Sequence, residues 1–245
     1  MNLSVLSLNM WLLPAPFSTD NKQRLDTFIE YAKKTKPDII ALQEIWPMHF
    51  VNRIRKQLPM YNVSIAKGGL FNATGLMTLS KLKPKHKSHL IFKRTPRHNL
   101  QEFLASKGIL TTEFATKAGN ISFSNVQIYS ATVLHENKVS EDQFKILKDM
   151  TKQGNHIVAG DLNFNQDKFI RLNAGHFYHK KTNGITICGK NKYQNTKANM
   201  IYRNNKLLDY VLTRIPDKKV SVKCTIVKKP IMSDHYGVLA NIRVQ

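Results

Sequence analysis

Five short apolar runs, each of strand length and each abutting a carboxylate, amide or imidazole, constrain this chain more than any other feature. Residues 3–8 run into Asn9, 38–43 deliver Glu44, and 156–159 lead to Gly160-Asp161-Leu162-Asn163. Asp209 lies within 207–212, and Asp234-His235 precede 237–242. Near-continuous apolar runs of this length suit buried strands. Further strand candidates are 61–66, 75–80, 107–114 and 120–132.

Helix signals fall between these runs. Asp20 is a candidate N-cap for a helix with Leu25, Phe28, Ile29 and Ala32 on one face; Lys33, Lys34 and Lys36 suit its end, and Pro37 stops it. A second helix is expected over 49–58, with Phe50, Val51, Ile54 and Leu58 inward. A third, over 140–154, carries a capping box (Ser140-x-x-Gln143), an apolar face of Phe144, Leu147 and Met150, and Gly154 at its end. Residues 81–98, basic and interrupted by Pro84 and Pro96, read as a long loop or hairpin. This mixed order fits an α+β sandwich better than an alternating barrel. At 245 residues with 42% hydrophobic content, one domain over 1–245 is the expectation.

Net charge of +22 favours anionic partners: nucleic acid, an acidic membrane face or phosphorylated substrates. It is equally compatible with lysines that merely solvate the surface. Two cysteines, Cys188 and Cys224, make no disulfide framework and are expected as reduced, packed thiols. No run reaches membrane-spanning length, and residues 1–13 lack a basic n-region, so they read as a strand rather than a signal peptide. The expected location is cytosolic or leaderless-exported, with peripheral membrane contact.

Polar residues gathered at strand ends suit phosphodiester hydrolysis, which needs phosphate charge neutralised, a water activated and the leaving oxygen stabilised. Glu44 with Asn9 matches the hard oxygen donors that Mg²⁺ takes, with Mn²⁺ or Ca²⁺ as substitutes. Asp161 is a candidate to orient or deprotonate water, Asn163 to donate to phosphate oxygens, and His235 to act as acid or base.

The segments LSLNMWLLP, ALQEIW, GDLNFN, LLDYVL and SDHYGVLANI, in that order, resemble the endonuclease/exonuclease/phosphatase superfamily across residues 3–242. The stretches from Asn9 to Pro14 and Pro37 to Trp46, the Arg24-containing helix and Lys107-Gly108 are most similar to neutral sphingomyelinases. The resemblance implies a DNase I-like, four-layered α/β sandwich: two packed mixed β-sheets flanked by helices. It implies Mg²⁺ at Asn9 and Glu44 with Asp234 nearby, His235 paired with Asp209, and Asp161 and Asn163 at the nucleophile and phosphate. Where sphingomyelinase-like chains carry Thr-His-Leu, this chain has Ser130-Ala-Thr132-Val-Leu-His135. Thr132 aligns with the second histidine, and His135 lies three positions later.

Three functions follow as expectations. The first is a metal-dependent phosphodiesterase of phospholipid head groups, with an anionic or zwitterionic phospholipid surface as partner. The second is a DNase or phosphoinositide phosphatase on the same scaffold, with nucleic acid as a partner. The third, resting on Thr132 alone, is an anion-binding module impaired in turnover. The basic run between Lys81 and His98 suits a bilayer or a nucleic-acid backbone, with Phe92 as a shallow membrane insertion.

Overall fold

A computed structural model describes residues 1–66, 68–69, 71–93, 106–117, 119–130, 137–179, 184–194 and 205–245. Its first sheet runs in the order β10 (Val220–Val227), β11 (Gly237–Val244), β1 (Asn2–Leu12), β2 (Ile39–Ile45), β4 (Met77–Ser80), β3 (Asn62–Ile65). The second runs β5 (Pro84–Ile91), β6 (Gly108–Thr116), β7 (Gly119–Gln127), β8 (His156–Asp161), β9 (Asp209–Arg214). Both sheets are mixed: β1 pairs parallel with β2 and antiparallel with β11, and β8 pairs parallel with β7 and antiparallel with β9.

Three apolar clusters separate four layers. Leu6, Leu8 and Met10 of β1 pack with Leu25, Phe28 and Ile29 of α1 (Asn21–Thr35) and Val51 and Ile54 of α2 (Met48–Gln57). The odd-numbered Leu3 and Val5 face the other way, against Phe114, Phe123, Ile157 and Val211 of the second sheet. Beyond that sheet, Ile109, Val126 and Val158 meet Phe144 and Leu147 of α3 (Asn137–Met150) and Phe169 of α4 (Gln166–Asn173). Successive strand residues point to opposite faces, and here both faces are covered; that is why β1 reads as an unbroken apolar run. The expected four-layered sandwich is the observed fold.

Four local features differ from what the sequence pattern predicts. Asp20 precedes α1 in a left-handed conformation (φ 53°) and makes no side-chain cap. Ser140 and Gln143 lie inside α3 rather than at its start. Their side chains serve tertiary contacts, Ser140 Oγ accepting from Lys168 Nζ and Gln143 Oε1 from the Tyr129 amide. Much of the basic run is the edge strand β5, with Lys85, His86, Lys87 and His89 exposed; charged edges discourage strand addition by another chain. Phe92 is only 4% exposed and belongs to the third core, so it is unavailable for membrane insertion. Arg94, Arg97 and His98 of that run lie outside the described residues. Strand β10 and helix α4 were not anticipated. Cys188 and Cys224 are not joined in a disulfide.

Candidate active site

Strand direction assembles the site. Strands β1, β2 and β8 arrive at one end of the sandwich with Asn9, Glu44 and Asp161, while β9 and β11 start there with Asp209 and just after His235. Asp161 and Asp209 are directly paired across the β8–β9 ladder. Gly160 is required by close packing: a Cβ there would lie 1.9 Å from the Val126 carbonyl oxygen across the β7–β8 ladder. We expect Gly160→Ala to cost about 3 kcal/mol, because the obstacle is backbone rather than a movable side chain. Thermal unfolding checks this; an unchanged midpoint would mean that β7 yields without cost.

At the end of β1 the β1–β2 register shifts between Asn9 and Leu12, and Trp11 is left-handed (φ 48°). The Trp11 amide donates to Asn9 Oδ1 at 3.0 Å. Asn9 Nδ2 therefore faces two carboxylates, donating to Glu44 Oε1 at 2.9 Å and Asp161 Oδ2 at 3.1 Å. Asn9 thus presents its nitrogen, not its oxygen, to both acids. Glu44, itself left-handed (φ 58°) and half-buried, also accepts from Gln127 Nε2 at 2.7 Å.

Asp161 is buried, with its Oδ1 accepting the Asn163 amide at 3.0 Å. Asn163 (φ 53°) spends one amide proton on the Ile128 carbonyl at 2.9 Å. Burial and the adjacent Asp209 charge push the Asp161 carboxyl up to about 7; His235 and Lys107 oppose this, and Glu44 adds to it. Lys107, buried just before β6, is thus in electrostatic reach of the site.

His235 Nδ1 lies 2.8 Å from Asp209 Oδ2. Burial works against the imidazolium, yet the Asp209 charge and hydrogen bond, helped by Asp234 and Asp161, hold it well above the usual histidine value. Asp234, also buried, accepts from Ser233 Oγ at 3.0 Å and Gln194 Nε2 at 3.4 Å. Asp161, Asp209 and His235 each offer a metal-ligand atom within 4.8 Å of the others. Thr132 and His135 lie outside the described residues.

Sequence reasoning missed the residues that hold this set. Gln43 Nε2 donates to Asn125 Oδ1 at 2.8 Å, and Asn125 Nδ2 donates to the carbonyls of Leu42 and Met77, tying the sheets beneath Glu44. The available signal was two amides at period two, Asn125 and Gln127, inside a buried strand. Residues 184–194 clamp the Ser233–His235 turn. Asn191 Nδ2 donates to the carbonyls of Ser233 and Asp234 at 2.9 and 3.0 Å, and Thr186 Oγ1 accepts from the Leu208 and Asp209 amides. No local pattern marks that loop.

A family model described as "Endonuclease/Exonuclease/phosphatase family" matches residues 6–235. No curated protein matches the chain significantly. Among solved structures, a Staphylococcus aureus beta toxin variant with bound magnesium ions is similar at 17% identity and TM-score 0.76, covering 98% of this chain and 99% of that one. Sphingomyelinase C from Streptomyces griseocarneus is similar at 16% identity and TM-score 0.74, with 98% and 99% covered. D. rerio TDP2 complexed with a single-strand DNA product is similar at 16% identity and TM-score 0.74, with 99% of both chains covered. At these identities the likeness establishes the fold.

Proposed function

We propose that this chain, which belongs to the endonuclease/exonuclease/phosphatase family, is a metal-dependent phosphodiesterase acting on phospholipid head groups. The observation that carries the chemistry is the convergence of Glu44 and Asp161 on one Asn9 amide, beside a His235–Asp209 pair. Asp161, with its raised proton affinity, is suited to take a proton from an attacking water. His235, fixed through Nδ1 by Asp209, has Nε2 left to donate to a phosphoryl or leaving oxygen. Asn163 has a second amide proton for a phosphate oxygen, and Lys107 adds positive charge.

The donor set fits Mg²⁺, with Mn²⁺ or Ca²⁺ as substitutes. It is rich in hard oxygens, both hydrogen bonds on Glu44 fall on Oε1, and Gln127 Oε1 and Asp209 Oδ1 are buried without a donor among the described residues. Glu44 and Asp234 would hold it; Asn9, expected as an oxygen ligand, instead turns its Nδ2 to the acids and orients Glu44. Bound there, the ion would neutralise phosphate charge and acidify a water.

Likeness to a sphingomyelinase supports the lipid reading. So does the exposed basic edge of β5, whose charges would each contribute about 1 kcal/mol at an anionic bilayer. No helix among the described residues is long and apolar enough to cross a membrane, so contact would be peripheral. Likeness to a DNA-bound TDP2 supports a second reading, a nuclease. Choline phosphate release from sphingomyelin liposomes, with Mg²⁺ or with EDTA, separates them. Release that EDTA abolishes is expected. Silence there with cleavage of single-stranded DNA would install the nuclease, and silence on both, with phosphoinositides also intact, would favour an anion-binding module.

A further inference from the structure

Arg24 is a fully buried charged residue that makes no ion pair among the described residues. It rises from the first turn of α1 and lies 0% exposed. Its Nε donates to the Thr19 carbonyl at 2.9 Å, Nη1 to the Met10 carbonyl, and Nη2 to the Trp11 carbonyl at 2.7 Å and to Asn21 Oδ1. The guanidinium also lies over the Trp11 ring, 4.8 Å from its centroid, and 5.6 Å from that of Tyr193. All four acceptors are neutral oxygens. Burial works against the charge; the carboxylates that favour it act through space, Asp234 foremost, then Glu44 and Asp20.

Burying a guanidinium is costly, and anchoring a helix needs only apolar contact of the kind Leu25 and Phe28 already make. What only the planar fork supplies is several donors at fixed angles. They meet the carbonyls of Met10 and Trp11, where β1 leaves the ladder and Trp11 turns left-handed. That turn aims the Trp11 amide at Asn9 Oδ1, which leaves Asn9 Nδ2 for Glu44 and Asp161. The chain of contacts from the guanidinium to both carboxylates is continuous.

We propose that Arg24 is a positioning residue of the active site, holding the 10–11 backbone so that Asn9 bridges Glu44 and Asp161. The kinetic consequence rests on the phosphodiesterase reading; the structural one does not. In Arg24→Met, which keeps volume but removes the donors, NMR hydrogen exchange should show the Trp11 amide exchanging about tenfold faster, the worth of one hydrogen bond. Amides within β8 should keep their protection. Unchanged Trp11 protection, or loss spread evenly over both sheets, would overturn the proposal. Should Arg24→Met fail to fold, Arg24→Lys, which retains charge but reaches fewer carbonyls, is expected to give the same local pattern.

On a substrate that the wild type cleaves, kcat of Arg24→Lys should fall about 10²-fold, the cost of misplacing a catalytic group, with KM little changed. A raised KM with kcat intact would instead make Arg24 part of substrate binding. If the wild type cleaves nothing, the functional reading fails while the exchange result still decides the role of Arg24.

Discussion

Substitution of His235 by alanine is expected to slow metal-supported phosphodiester hydrolysis by about 10³-fold, within the range that a positioned proton donor or acceptor contributes. Among the described residues the ring makes one side-chain hydrogen bond, Nδ1 to Asp209 Oδ2 at 2.8 Å, so its orientation is set and its other nitrogen is left for chemistry. Alanine also strips Asp209 of its partner inside the protein, where an uncompensated carboxylate costs about 3 kcal/mol. His235→Asn separates these effects, because its amide can still donate to Asp209 while carrying no titratable proton. Equal rate loss in both variants, with the larger stability loss in His235→Ala, is the expected result. Wild-type rates in a folded His235→Asn would remove His235 from the reaction.

The same pair sets a pH dependence whose sign is fixed. His235 has a folded-state value well above its ordinary 6.5. Its stabilising contribution is therefore fully present below about pH 6.5 and fades as pH rises through the folded value. The melting-temperature gap between wild type and His235→Asn should be widest in acid-to-neutral buffer and should close in alkaline buffer. A gap that widens with pH would mean that the imidazole is neutral in the folded protein.

Asp161→Asn is expected to do two opposite things: abolish turnover and raise stability. In the folded protein, burial and Asp209 move the Asp161 carboxyl from 3.8 up to about 7. The unfolded chain releases that proton near pH 4 and the folded chain keeps it to about 7. Stability thus falls as pH climbs through that window, and the full penalty stands above it. Three units correspond to about 4 kcal/mol. Asparagine removes the charge but can satisfy only one of the two donors from Asn9 and Asn163, returning about 2 kcal/mol of that gain. The net gain of about 2 kcal/mol should appear in EDTA at pH 8 as a midpoint higher by about 4–8 °C, and reverse to a lower midpoint near pH 4, where the charge penalty is nearly gone and the lost hydrogen bond remains. A lower midpoint at pH 8 would deny that the carboxylates are crowded, and retained activity would deny that Asp161 handles the proton.

Such opposition between activity and stability is expected where like charges are forced together for chemistry. Asp161 and Asp209 face each other across adjacent strands, and backbone hydrogen bonds of β8 and β9 maintain the approach. The rigid ladder meets a cost that two surface aspartates would relieve by turning apart.

The amino-acid sequence by itself determined the layers and the inventory. Continuous apolar runs such as that of β1 announce strands covered on both faces, and the Leu25, Phe28, Ile29 and Ala32 spacing announces the helix that covers one of them. Those signals are legible because each is written within a dozen residues. Tertiary structure alone decided how the inventory is used. Asn9 meets Asp161 across 152 positions and Gln127 meets Glu44 across 83, distances over which no periodicity carries information. Ser140 and Gln143 fit a local capping pattern, yet α3 begins earlier and their side chains go to Lys168 and Tyr129. Phe92 sits in a basic run, yet β-pairing of its neighbour Ile91 with Gly108 carries it into the core. Arg24 gains its role only because the left-handed turn at Trp11 gives its donors two carbonyls to hold. In each case a polar or apolar side chain found a better partner far along the chain than the one beside it, and burial made that partner decisive.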